Sequence, residues 1–190
     1  MIRVYRIPFS TNVERVALAA GHKGVAIEWV DVDPADRTPV RELSGQELVP
    51  VLEADGDVVA DSTAILEWLE ARFPEPALFG PETRIFVDWF NRVWKVPPNR
   101  LNDEGPDQAL ERELADSRDL FEALLAGRDY LYGEFSAADC AAFPFLKYAL
   151  WLDPADAEPF HHVVHRHLKL SGRHPRLEAW IHRVDAHPRA

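Results

Sequence analysis

Three adjoining stretches constrain the fold more than any other part of the chain: Leu48-Val49-Pro50-Val51-Leu52, Gly56-Asp57-Val58-Val59-Ala60 and Asp61-Ser62-Thr63-Ala64-Ile65. Proline has no N–H to give a sheet ladder, so Pro50 belongs at the beginning of a strand. The turn at Gly56 joins that strand to a second apolar run as a hairpin. Asp61 and Ser62 then open a helix, since short polar side chains satisfy the free N–H groups of a first turn. A cis Val49–Pro50 bond would leave the Val49 amide and carbonyl facing outward, free for an extended ligand.

The flanking sequence completes one α/β domain and then changes character. Ile2 to Arg6 reads as a strand, and Val13 to Lys23 as a helix with Val13, Val16, Ala17 and Ala20 on one face. Val25 to Asp31 is a second strand, Thr38 to Leu43 a short helix, and Ser62 to Arg72 the helix after the hairpin. The order β-α-β-α-β-β-α predicts a thioredoxin-like domain over residues 1–73 with a mixed four-stranded sheet. The proline-rich block 74–81 reads as a linker, and residues 82–190 as an all-helical domain. Its first helix, Glu82 to Val96, is predicted to turn Ile85, Phe86, Trp89, Phe90 and Val93 inward and to stop at Pro97-Pro98. Helices are also expected over 106–126, from Ser136 to about Trp151, over 159–170 and over 175–185, with Trp68, Trp151 and Trp180 in the core.

Composition narrows the chemistry. The chain has 190 residues, 47% hydrophobic and 28% charged, as expected of a soluble globular protein. A formal net charge of −11 argues against nucleic acid as a partner. No apolar run is long enough to span a bilayer and the amino terminus lacks a signal-peptide layout, so no membrane partner and a cytoplasmic setting are expected. Cys140 is the only cysteine. Internal disulfides and paired-cysteine redox motifs are therefore excluded, and any sulfur chemistry has to use a bound thiol. His161, His162, His165 and His167 read as a solvated face, and no metal site is expected.

Together, Val49-Pro50-Val51-Leu52 with Asp61-Ser62, Ser10-Thr11-Asn12 ahead of a helix, and Ser136-Ala137-Ala138-Asp139 resemble the cytosolic-type glutathione transferase superfamily along nearly the whole chain. The resemblance implies glutathione as cosubstrate, with Val49 pairing by backbone with its cysteinyl part and Asp61 and Ser62 holding its γ-glutamyl carboxylate. Leu48, Pro50, Thr11 and Asn12 complete the implied thiol site. Ser136 to Asp139 matches the family's capping box, a folding element. Ser10-Thr11-Asn12-Val13-Glu14-Arg15-Val16 resembles the serine-type motif of zeta-like members, which puts the catalytic hydroxyl on Ser10, with Tyr5 the weaker candidate. Thr11 and Asn12 stand where zeta-type enzymes carry a second serine and a cysteine. The resemblance further implies a small-molecule electrophile held between the domains near Trp89, Asn91, Trp94 and Lys95. It implies a homodimer formed through Trp68, Phe79 and the helix from Glu82 onward.

The chemistry is energetically reasonable. A cysteine-type thiol titrates near ~8.5, and each unit of depression takes about 1.4 kcal/mol of preferential thiolate stabilisation. A helix amino terminus contributes about 0.3–1 kcal/mol, up to ~2 when partly buried. A hydroxyl donating to an anion contributes roughly 1.5–3 kcal/mol. Ser10 at the start of the first helix can combine the two and lower a bound thiol by roughly two units. In this reading the serine is a donor to sulfur, and the bound thiol is the nucleophile. Two alternatives stand beside it: a catalytically silent interaction or regulatory protein of the same fold, and the same site using a different low-molecular-weight thiol.

Overall fold

The structure, a computed structural model, describes residues 1–190. The chain divides into two compact units, Met1–Phe79 together with His187–Ala190, and Gly80–Ala186. In the first unit the elements are β1 (Ile2–Arg6), α1 (Thr11–His22), β2 (Glu28–Asp31), α2 (Thr38–Ser44), β3 (Val51–Ala54), β4 (Asp57–Ala60) and α3 (Ser62–Arg72).

The sheet order is β2-β1-β3-β4. β1 and β2 run parallel through the α1 crossover, and the β1/β3 and β3/β4 pairs are antiparallel. Alternation along the strands sends Val4 and Leu52, partners in register, into a fully buried layer. α1 and α3 pack on each other with Val16, Ala20, Ile65 and Leu69 fully buried. Each buried Val, Ile or Leu side chain contributes about 1.5–3 kcal/mol. The neighbouring register pair, Tyr5 and Val51, belongs to a second cluster, in which Val51 packs with Val32, Val40 of α2, Leu43 and Val49. β2 is shorter than the sequence suggests. The Val25 N–H bonds back to the Ala20 carbonyl at 2.9 Å, closing the end of α1 behind Gly24 (φ 64°), so Val25 cannot join the ladder.

Residues 74–79, read from sequence as linker, are fastened to the first unit. Lys23 Nζ donates to Glu70 at 2.7 Å and to the carbonyls of Phe73 and Pro76 at 2.6 and 2.8 Å. Glu70 in turn accepts the N–H groups of Leu78 and Phe79. Burial pushes the Glu70 carboxyl up, but Lys23 and these N–H groups outweigh it and hold the group below its ordinary range. A Glu70→Gln variant keeps the shape and loses the charge. Its expected loss of roughly 1–2 kcal/mol is read by urea denaturation.

Residues 187–190 return to the first unit, which no sequence signal announced. A Cβ on Gly21 would lie 2.3 Å from the Pro188 carbonyl oxygen, so only glycine lets the segment come this close. Ala190 N–H donates to the Ala17 carbonyl, Trp29 Nε1–H to the Ala190 backbone oxygen, and Arg189 to Glu14 at 3.0 Å. His22 Nδ1 and His187 Nε2 lie 3.1 Å apart, so at least one ring must be neutral to accept. Burial, with the charges of His22 and Arg189, pushes His187 down to about 4. Burial and Lys23 also lower His22, against an opposing pull from Glu70. An unfolded histidine takes its proton near ~6.5. The contribution of this contact is therefore present above that pH and is lost as pH falls toward about 4. Histidine ring titration by NMR is expected to show His187 protonating near 4; a midpoint near 6.5 would contradict the contact.

The second unit is helical: α4 (Pro81–Trp89), a π turn (Phe90–Trp94), α5 (Val96–Asp103), α6 (Gln108–Leu124), α7 (Ala137–Leu146), a short 3-10 turn (Lys147–Ala149), α8 (Pro159–Leu168) and α9 (Pro175–Asp185). Several sequence expectations fail. Pro97 and Pro98 do not end the helical path, because they occupy the first turn of α5, where a missing N–H costs nothing. The π turn, with Lys95 N–H bonded to the Phe90 carbonyl at 3.1 Å, rotates the face that follows it. Ile85 and Val93 are 72% and 48% exposed rather than inward, and the aromatic core consists of Phe86, Phe90, Trp94, Phe121 and Phe145. Trp180 is fully buried as expected, whereas Trp68 and Trp151 are half-buried. His161 is buried and paired with Asp156 at 2.7 Å, so it is not part of a solvated face.

Candidate functional site

The Val49–Pro50 bond is cis. β3 begins only at Val51, and neither the N–H nor the C=O of Val49 enters a hydrogen bond within the protein. An extended ligand can take both groups, as a strand would. Close by, Asp61 caps α3, its Oδ1 accepting the N–H groups of Thr63 and Ala64 at 2.8 and 3.1 Å. The start of α3 thus combines a carboxylate, suited to an ammonium group, with a helix amino terminus, suited to a carboxylate.

These groups share one cavity of about 300 Å³, lined by Asn12, Gln46, Leu48, Val49, Pro50, Ala60, Asp61 and Ser62. Six of the eight are residues singled out from sequence; Gln46 and Ala60 are new. Gln46 was missed because its role is a local side-chain clamp. Its Nε2 donates to the Leu48 carbonyl at 2.7 Å, and its Oε1 accepts the Leu48 N–H at 2.5 Å. That clamp fixes the backbone just ahead of Val49.

Ser10 and Thr11 lie at the start of α1, outside the eight lining residues. Ser10 is the N-cap, its Oγ accepting the Val13 N–H at a long 3.4 Å, and its own O–H donates to no protein group. Thr11 is buried. Tyr5 is poorly suited to activate a thiol, because its hydroxyl donates to Glu53 at 3.3 Å. Burial and the Glu53 charge both raise its pKa.

Outside the hairpin turn, the only non-glycine residues with positive φ are Phe9 (62°), immediately before Ser10, and Asp61 (81°). Such conformations cost roughly 1–3 kcal/mol each and gather where a site has to be shaped.

In the helical unit, Trp89 and Trp94 line a cavity of about 150 Å³ together with Val93, Pro97, Glu113, Leu114, Ser117 and Leu120. Asn91 lies in the π turn. Lys95 is turned to α7, its Nζ 4.7 Å from the centre of the Phe145 ring. The capping box expected at Ser136 is present: Asp139 accepts the Ser136 N–H and hydroxyl, and Ser136 Oγ accepts the Ala138 N–H.

Residues 4–77 match the family described as glutathione S-transferase, N-terminal domain, and residues 107–183 match glutathione S-transferase, C-terminal domain. The chain belongs to the glutathione S-transferase superfamily. A maleylpyruvate isomerase of Ralstonia sp is 33% identical to this transferase-family chain over 81 residues, 40% of this chain and 38% of that protein. Glutathione transferase omega-1 of Caenorhabditis elegans is 29% identical over 168 residues, 78% of this chain and 64% of that protein. The chain therefore spans less than two thirds of either relative. A rice glutathione S-transferase solved in complex with glutathione shares the fold, with TM-score 0.77, 23% identity, and coverage of 98% of this chain and 91% of that one.

Proposed function

We propose that the chain is a serine-type, zeta-like glutathione transferase that binds glutathione in the first unit and activates its thiol for attack on a small electrophile. The observation that carries this reading is the unpartnered Val49 backbone opening into the same cavity as the capped start of α3. A γ-glutamyl peptide fits both ends of that arrangement. Its backbone pairs with Val49, and its amino-acid head meets Asp61 and Ser62. Asn12 and Pro50 form other parts of the wall.

In this reading Ser10, with Thr11 beside it at the start of α1, donates its free hydroxyl to the sulfur. The thiolate attacks carbon, the leaving group departs with the bonding pair, and the thiol proton goes to solvent. Trp89, Asn91, Trp94 and Lys95 are proposed to contact the electrophile. No helix is long and apolar enough to cross a membrane, and the proposed setting is the cytoplasm. A homodimer through Trp68, Phe79 and the helix from Glu82 onward is part of this reading, and the exposure of Ile85 on that helix supports it.

The test is retention on immobilised glutathione, followed by conjugation of a chromogenic aryl halide. Wild type is expected to be retained and active, and Asp61→Ala to be retained far less. A wild type that passes through without delay removes glutathione from the assignment.

A further inference from the structure

We propose that the thiol site gains nothing from a carboxylate at the cosubstrate's Leu48 end, so that it takes a thiol whose end there is uncharged as readily as glutathione, and that Leu48 is the residue setting this tolerance. The inference rests on the reading of the Val49 cavity as a peptide-thiol site and names the chemical class of thiol it takes.

A ligand paired with the Val49 backbone has two flanks. One lies at Ala60, Asp61 and Ser62; the other lies at Gln46 and Leu48. At the first flank an amino-acid head finds a carboxylate for its ammonium and a helix amino terminus for its own carboxylate. The second flank offers nothing of the kind. Among the eight lining residues the only charged side chain is Asp61, and there is no cation.

The neutral donors at this end are already engaged. Gln46 Nε2 has two hydrogens, which go to the Leu48 carbonyl and Ser44 Oγ. The Leu48 N–H goes to Gln46 Oε1. The Leu48 side chain itself is apolar and 69% exposed.

Nor do the neighbouring cations reach across. Arg41 is held by the Glu47 carboxylate at 2.7 Å, and Arg37 donates to the Glu47 and Pro34 carbonyls. Segment 33–48 carries Asp33, Asp36, Glu42 and Glu47 against Arg37 and Arg41 alone. A carboxylate brought to Leu48 would gain no charge-assisted hydrogen bond and would face a net negative surface. An ester, an amide or another uncharged polar end avoids that penalty.

The experiment is calorimetric titration of the full chain with glutathione and with its glycyl monoethyl ester, repeated on Leu48→Lys. The expected result is that wild type binds the ester at least as tightly as glutathione. Leu48→Lys is expected to tighten glutathione about two- to five-fold, the range of an exposed ion pair, and to leave the ester unchanged. Wild type binding glutathione tenfold or more tightly than the ester overturns this inference alone, as does a Leu48→Lys variant that treats both ligands alike. Binding of neither ligand overturns the peptide-thiol reading itself, and this inference with it.

Discussion

An Asp139→Ala variant is expected to lose roughly 3–5 kcal/mol of folding stability. Asp139 is fully buried and accepts from Leu131 N–H, Ser136 N–H, Ser136 Oγ–H and Trp180 Nε1–H at 3.1, 3.0, 3.1 and 2.8 Å. One carboxylate thus ties the loop ahead of α7, the cap of α7 and the core indole of α9. Burial pushes its pKa up to about 6 against the pull of these donors. Alanine would leave all of the donors in a dry interior, each costing about 1–3 kcal/mol if nothing relaxed. Urea denaturation monitored by tryptophan fluorescence reads the loss. A change below about 1 kcal/mol would mean that the network is solvated and does not hold the three elements together.

Ser10→Ala is expected to reduce kcat/KM for thiol conjugation by about 10- to 150-fold, the rate equivalent of losing one hydroxyl-to-thiolate hydrogen bond. The bound thiol's pKa should rise by about 1–2 units, while affinity for glutathione changes little. The distinction follows from geometry. Val49, Asp61 and Ser62 line the cavity proposed to hold the peptide, whereas Ser10 stands at the amino terminus of α1 with an uncommitted O–H. Losing the Val13 N–H contact adds little, since at 3.4 Å it is a weak cap. Unchanged turnover in the variant would move the role to Thr11 or to a backbone N–H of the first turn. Tyr5 is a poor substitute because its hydroxyl is engaged by Glu53.

What could be read from sequence was local. Pro50 before an apolar run and Asp61-Ser62 before a helix are adjacent in the chain, so their chemistry specifies β3, β4 and the cap of α3 without knowledge of the rest. The Ser136–Asp139 box was legible for the same reason, but the reach of Asp139 to Trp180, 41 residues away, was not.

Most departures of the structure from the local sequence pattern have a physical cause. The inward position expected for Val93 rests on a single helical period that the π turn breaks, and i→i+5 bonding has no compositional signature; the exposure of Ile85, ahead of that turn, has no such account. Pro97-Pro98 stops a helix only when it falls past the first turn, a registration the pair itself does not reveal. The return of residues 187–190 depends on the missing Cβ of Gly21, which lies inside the helix expected from Val13 to Lys23 with nothing local to mark it. Gln46 has no sequence signature, because a side chain that clamps a backbone two residues away needs no fixed spacing.

The cavity at Val49 and Asp61 is proposed to hold a thiol peptide with its sulfur as the anion. Titrating the ultraviolet absorbance of the thiolate in the protein–glutathione complex tests this most directly. A bound thiol pKa near or below ~6.5, about two units under its free value, is the predicted result. A saturated complex whose sulfur still titrates near ~8.5 would contradict the account.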